Sequence, residues 1–162
     1  FVHYCASVMK CTHIVIDSLT KCGLGTADRD KEADFIDRLQ WAAKSLNCHI
    51  HLVCHVRKPE SRGEDYRPNK FDVRGAGQLV DLCDNLVIVW KDKKRESMKG
   101  VNLDMKNQEY FDKHTDQVLI IEKQRHGSWE GNVNLFFHSP SLQFTSEEDR
   151  VKNLDEVIKR NS

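Results

Sequence analysis

The chain has 162 residues, and its 25 lysines and arginines balance 25 aspartates and glutamates. Zero net charge excludes a global electrostatic surface for nucleic acid or anionic membrane, so such contacts must come from local loops. The 39 % of hydrophobic residues suffice for one domain-sized core, and no run approaches the ~20 apolar residues of a membrane span.

Phe1-Val2-His3-Tyr4-Cys5 has neither a basic start nor a long apolar stretch, so it is no signal peptide. Without an initiator Met, the chain is expected to be a piece of a longer protein. Its six cysteines, Cys5, Cys11, Cys22, Cys48, Cys54 and Cys83, form no C-x-x-C pair. They are expected to be buried, reduced thiols of a cytosolic protein.

Thr12 to Asp17 is a short apolar run ending in a carboxylate, the pattern of a buried parallel strand. From Ala27 to Leu46, the residues Phe35, Ile36, Leu39, Ala42, Ala43 and Leu46 share one helical face. Thr26 or Asp28 can cap the start of this helix, and Asn47 can close it. A second apolar strand, Ile50 to Cys54, completes a strand–helix–strand unit. Arg57 to Arg74 carries Pro59, Gly63 and Pro68 and reads as a loop. Gly77 to Cys83 predicts a short helix, and Asn85 to Trp90 a third strand.

Residues 91–116 hold seven basic and six acidic side chains with little apolar pattern, so a solvated connector or mobile insertion is expected. Gln117 to Arg125 and Val133 to Phe137 flank the glycine-bounded turn His126 to Gly131 and predict a hairpin. Leu142 to Phe144 adds a further short strand. Ser146 to Arg160 places Val151, Leu154 and Ile158 on one face and reads as a surface helix, which gives a domain over 1–145 and a helical tail over 146–162. Alternating strands and helices followed by a hairpin predict an α/β fold whose sheet is parallel at first and antiparallel at its end.

In such sheets chemistry gathers at the carboxyl ends of the parallel strands, where Asp17, His55 and Lys91 stand. Asp17, with Ser18 behind it, suits a carboxylate that holds a water of magnesium on nucleotide phosphates; a helix-capping aspartate is the plainer alternative. His55 suits a hydrogen bond to a terminal phosphate, or one to loop backbone. His49 and His51 share a strand face with His55 nearby, but no third ligand follows at a zinc spacing.

Arg74-Gly75-Ala76-Gly77 opens the short helix with two glycines that let backbone approach a phosphate, unless they form an ordinary turn. Lys58, Arg62, Arg67 and Lys70 lie in the same loop. Lys123 and Arg125, two apart on a strand, point to one side and suit a polyphosphate, or serve as edge charges against aggregation.

Taken in order, these segments resemble the motor domain of RecA-type ring helicases: the DnaB-like replicative helicases with their phage and Twinkle-type relatives. Ile14-Val15-Ile16-Asp17-Ser18-Leu19 is similar to their Walker B strand. His51 to Pro59 resembles their third motif, with His55 at the sensor position as in phage and Twinkle-type members. Asp72-Val73-Arg74-Gly75-Ala76-Gly77 resembles their DNA-facing fourth motif. Lys123-Gln124-Arg125-His126-Gly127 is similar to the Lys-x-Arg element that reaches the neighbouring subunit's ATP site.

The resemblance spans roughly residues 10–145. It implies a partial RecA-like P-loop NTPase core that uses ATP and magnesium to move 5′ to 3′ on single-stranded DNA. Asp17, Ser18, His55, Lys123 and Arg125 are then the nucleotide and catalytic residues. Arg57, Lys58, Arg62, Arg67, Lys70, Arg74, Gly75 and Gly77 are the DNA-contacting ones. A hexameric ring, a primase domain or partner, and a cytoplasmic place in a bacterium or phage-infected host are implied as well, with no membrane contact.

One departure is large. No G-x-x-x-x-G-K-[ST] run occurs, and Gly23 and Gly25 lack the Lys-Ser/Thr that would follow. In the family, that loop and the water-activating glutamate precede the Walker B strand, so the chain by itself is expected to be inactive. A catalytically inactive interaction module of the same fold, or a RecA/RadA-like recombinase ATPase, are the alternative readings.

Overall fold

The computed structural model describes residues 1–23, 29–56, 63, 66–73 and 76–147. The chain divides into two compact units, Phe1–Pro59 with Pro68–Leu86, and Glu60–Arg67 with Val87–Ser162.

The first unit runs through α1 (Val2–Ser7), β1 (His13–Asp17), a 3-10 turn (Leu19–Cys22), α2 (Arg29–Ser45), β2 (His49–Val53), a second 3-10 turn (Lys70–Asp72) and α3 (Ala76–Leu82). β1 and β2 pair in parallel, with Ile14 opposite Ile50, Ile16 opposite Leu52 and Asp17 opposite Val53. Strand alternation therefore puts Ile14, Ile16, Ile50 and Leu52 on one face. Leu52 packs with Phe35 against the buried cluster of Leu19, Ile36, Val73, Leu79 and Leu86. Asp30 and Glu32 in the first turn of α2, and Lys44 in its last, suit the helix dipole. Asn47 adopts a positive φ just past its end, as a closing residue does. The Gln40 side chain donates to the Leu82 carbonyl over 2.7 Å, so α2 satisfies an orphan group at the end of α3. The expected caps Thr26 and Asp28 lie outside the described residues.

The second unit holds most of β3 (Asn85–Lys91), then α4 (Lys93–Met98), α5 (Met105–Lys113), β4 (Gln117–Gln124), β5 (Gly131–His138) and β6 (Gln143–Thr145). The strands are ordered β3-β4-β5-β6. The expected hairpin is present: β4 and β5 pair antiparallel with Gln117 opposite Leu135 and Ile121 opposite Gly131. β6 extends it, with Phe137 opposite Phe144. Every second residue of β3 is buried, and Ile88 and Trp90 form a core with Val118 and Ile120.

Residues 91–116 differ from the expectation of a solvated connector. Lys91 ends β3, and α4 and α5 follow, each started by an aspartate cap. The Asp92 carboxylate accepts the Arg95 N–H at 2.8 Å, and that of Asp104 accepts the Asn107 N–H at 2.8 Å. Arg95, 1 % exposed, pairs with the Asp116 carboxylate and donates through Nε to the Phe111 carbonyl at 3.1 Å. Asp116 also accepts Lys99 Nζ at 2.7 Å and the Phe137 N–H at 2.8 Å. The charges of this segment are thus partly internal, and they fasten both helices to the β4–β5 hairpin.

All six cysteines are free thiols. Only Cys5 is buried and Cys22 is exposed, so the expected uniform burial does not hold. Most of the expected tail helix, from residue 148 onward, lies outside the described residues.

Candidate functional site

The parallel register decides where the strand-end residues meet. Because Asp17 stands opposite Val53, Asp17-Ser18 and Cys54-His55 leave the strand pair at the same end. That is the carboxyl end, where a strand pair leaves space for a ligand. Asp17 is exposed, and its carboxylate has no hydrogen bond or ion pair among the described residues. Ser18 is 2 % exposed, and its hydroxyl shares a 2.8 Å hydrogen bond with that of Thr20. Its carbonyl accepts the Lys21 N–H at 2.9 Å. Ser18 is therefore a turn-forming residue behind Asp17, with its hydroxyl turned into the protein and not offered to a ligand.

His55 is exposed between β2 and Val56. Val56 makes an antiparallel bridge to Val73, which closes the base of the intervening loop beside the strand ends. Burial, then the charges of Glu32, Cys83 and Cys22, push the neighbouring Cys54 thiol up to about 11. It stays protonated near neutrality and is a poor nucleophile.

Of the loop residues expected to touch DNA, Arg57, Lys58, Arg62, Arg74 and Gly75 lie outside the described residues. Arg67, in the second unit, stacks its guanidinium 4.6 Å from the centroid of the Trp90 ring, whose indole N–H donates to the Tyr66 carbonyl at 2.9 Å. Lys70 sits in the Lys70–Asp72 turn, its Nζ 5.7 Å from the Phe71 ring centroid. A reciprocal cap builds that turn: Asn69 Oδ1 accepts the Phe71 N–H at 2.9 Å, and Asp72 Oδ2 accepts the Asn69 N–H at 2.8 Å. The Asn69-x-x-Asp72 spacing carries the sequence signal for such a cap. Gly77 lies in the first turn of α3, and a Cβ placed there would meet no other atom within 4 Å among the described residues.

In the second unit, alternation along β4 places Lys123 on the face opposite the buried Val118 and Ile120. Arg125 is exposed one residue past the strand end, at the start of the hairpin turn. The hairpin carries both near its tip, but Arg125 lies in the turn and not on the strand with Lys123 as the two-residue spacing predicts.

On the strand face opposite Leu52, the register sets His13 beside His49 and two residues from His51. His13 and His49 stack at 5.5 Å between centroids, and His13 Nδ1 lies 3.2 Å from His51 Nε2. Desolvation, then the charges of His49 and His13, hold the His51 pKa below that of a free histidine. His13 joins the pair only through strand register, which spacing along one strand does not reveal. Among the described residues no group of three or more His, Cys, Asp or Glu side chains is placed to hold a metal ion. No described helix is long and apolar enough to cross a membrane.

Among solved structures, one described as "The Structure Of A DnaB-Like Replicative Helicase And Its Interactions With Primase" is similar, with a TM-score of 0.63 and 19 % identity over 89 % of this chain. The chain spans about a third of that helicase's length, 34 %. Likeness at this identity shows the fold, a RecA-like α/β fold, which meets the fold expected from the resemblance. No curated protein matches in sequence. The family profile described as "DnaB-like helicase C terminal domain" matches residues 4–146, a span that takes in all four motifs. The chain belongs to the DnaB-like helicase C-terminal domain family.

Proposed function

We propose that this chain is the Walker B-to-arginine-finger part of a ring-forming replicative helicase that couples ATP hydrolysis to 5′-to-3′ movement on single-stranded DNA. One observation carries the reading: the parallel register gathers Asp17 and His55 at one strand end, and the Val56–Val73 bridge roots the basic loop beside them. An exposed carboxylate without a partner among the described residues fits a magnesium ion held through water. Magnesium bound there would neutralise charge on the nucleotide phosphates. Asp17 would hold the ion through that water, and Ser18 fixes the turn that carries Asp17. His55 donates to or accepts from the terminal phosphate region, and the change passes to the loop that starts at Arg57.

Lys123 and Arg125, at the hairpin tip, stabilise developing phosphate charge in the adjacent subunit of a hexameric ring. Arg57, Lys58, Arg62, Arg67, Lys70, Arg74, Gly75 and Gly77 form the DNA-contacting set, with salt-dependent and sequence-indifferent binding. A primase domain or partner and the cytoplasm of a bacterium or phage-infected host belong to the same reading. The phosphate loop that this chain lacks lies upstream in the family, so the 162-residue chain alone is expected not to turn over ATP.

The test is Asp17→Asn in the full-length protein, which keeps the shape and removes the charge. DNA-stimulated ATP hydrolysis should fall by roughly a hundredfold with an unchanged melting temperature. Turnover by the isolated chain that is lost on the same substitution would overturn the assignment.

A further inference from the structure

Phe71 is 80 % exposed, although it stands two residues from Val73, which is 4 % exposed. The 3-10 turn that carries it is closed from both ends by the Asn69 and Asp72 side chains. The Asp72 N–H also donates to the Asn69 carbonyl at 3.0 Å. Pro68 is buried on one side, and Val73 is bridged to Val56 on the other. The backbone under the ring is therefore fixed, and ordering it on binding costs little.

Exposed apolar side chains also occur elsewhere in this chain, but this ring is held on a doubly capped turn beside an ammonium, an arrangement open to a partner with a flat apolar face. Charge says which kind. Residues 57–74 hold six basic side chains (Arg57, Lys58, Arg62, Arg67, Lys70 and Arg74) against four acidic ones (Glu60, Glu64, Asp65 and Asp72). The Lys70 ammonium lies beside the ring itself. Aromatic face and adjacent ammonium together match a nucleotide, which offers a base face and a phosphate.

We propose that Phe71 is a stacking platform for a base of single-stranded DNA and that Lys70 pairs with the adjoining phosphate. The inference rests on the proposed function in that it takes the loop to contact DNA. It adds a contact to the base itself, which the phosphate-directed residues do not supply. Stacking tolerates any base, so the contact keeps the grip indifferent to sequence.

The experiment measures fluorescence anisotropy of an oligothymidylate, and of the same strand with abasic sites, on the full-length protein. Wild type should bind the base-bearing strand about tenfold more tightly than the abasic one. Phe71→Ala should weaken the first by about tenfold and leave the second unchanged, and Phe71→Trp should restore the difference. Lys70→Ala should weaken both strands equally and lower the salt slope by about one.

Equal binding of both strands by Phe71→Ala and wild type overturns the stacking role while leaving DNA binding intact. An equal loss on both strands, or a loss of assembly on sizing, makes Phe71 a structural or subunit contact and overturns it too. Failure of the wild type to bind either strand removes the functional reading, and the inference with it.

Discussion

At the scale of single residues, the proposed site separates groups that would touch a ligand from groups that aim them. Asp17 is free to reach outward because Ser18 and Thr20 satisfy each other behind it. His55 stands between that strand end and the root of the loop at Val56. In the proposed mechanism a side chain in that position links phosphate sensing to DNA contact, so His55→Ala should separate them. In the full-length protein, DNA stimulation of ATP hydrolysis should fall by about tenfold or more, while nucleotide affinity changes little. Titrating a fluorescent nucleotide beside the ATPase assay checks this. A collapse of nucleotide affinity with normal DNA stimulation would make His55 a ligand of the nucleotide and not a relay.

At the scale of elements, the joint of α4, α5 and the β4–β5 hairpin depends on Asp116. Burial pushes the Asp116 pKa up. The Lys99 hydrogen bond, the Phe137 N–H, and the Arg95 and Lys99 charges outweigh that effect and hold it below the usual carboxylate range. A carboxylate whose folded pKa is depressed contributes stability that is full above its unfolded pKa, about 4. That stability is lost as pH falls through the lower folded value. Acid unfolding of the chain should therefore steepen below about pH 4, and Asp116→Asn should flatten that limb in circular-dichroism titrations.

Arg95→Ala removes the buried cation and leaves Asp116 with Lys99 and the Phe137 N–H, so it should cost about 3–5 kcal/mol in denaturant unfolding. The Tyr110 hydroxyl donates to the buried Asp92 carboxylate at 3.0 Å, a hydrogen bond to a charged group but not an ion pair. Tyr110→Phe should therefore cost less, about 1.5–3 kcal/mol. Equal costs for the two would mean that the buried charge is not what holds the joint.

At the scale of the whole molecule, the proposed ring divides the active site between subunits. Lys123 and Arg125 sit on the tip of a hairpin, a place suited to reaching beyond the chain. Mixing tests this. Full-length subunits with Arg125→Ala, and full-length subunits whose phosphate-loop lysine is replaced, should each form nearly inactive rings. Mixed rings contain interfaces that pair an intact phosphate loop with an intact Arg125, and those should recover ATPase activity. With subunit exchange shown independently, absence of any recovery would place Arg125 in its own subunit's site or in a structural role.

What the sequence by itself determined is what local periodicity carries. The apolar run into Asp17, the helical face from Phe35 to Leu46, and the alternation around the His126–Gly131 turn each depend on neighbours a few residues away. Their strands and helices appear where the pattern puts them, to within a residue or two. The order of motifs also sufficed to suggest the family, because a motif is a local string.

Tertiary structure decided what depends on partners distant in the chain. The charge-rich stretch 91–116 looked solvated because its buried arginine is satisfied by Asp116, 21 residues on, and no periodicity encodes that pairing. The parallel register likewise set His13 against His49 and brought Asp17 to the same strand end as His55. Ser18 turned inward because the neighbouring Leu19 packs into the core formed with Ile36, Val73, Leu79 and Leu86. Phe71 shows the converse. Its exposure follows from the cap that folds Asn69 and Asp72 onto each other, so an apolar residue that composition would assign to the core is held in solvent by the hydrogen bonds of its own turn.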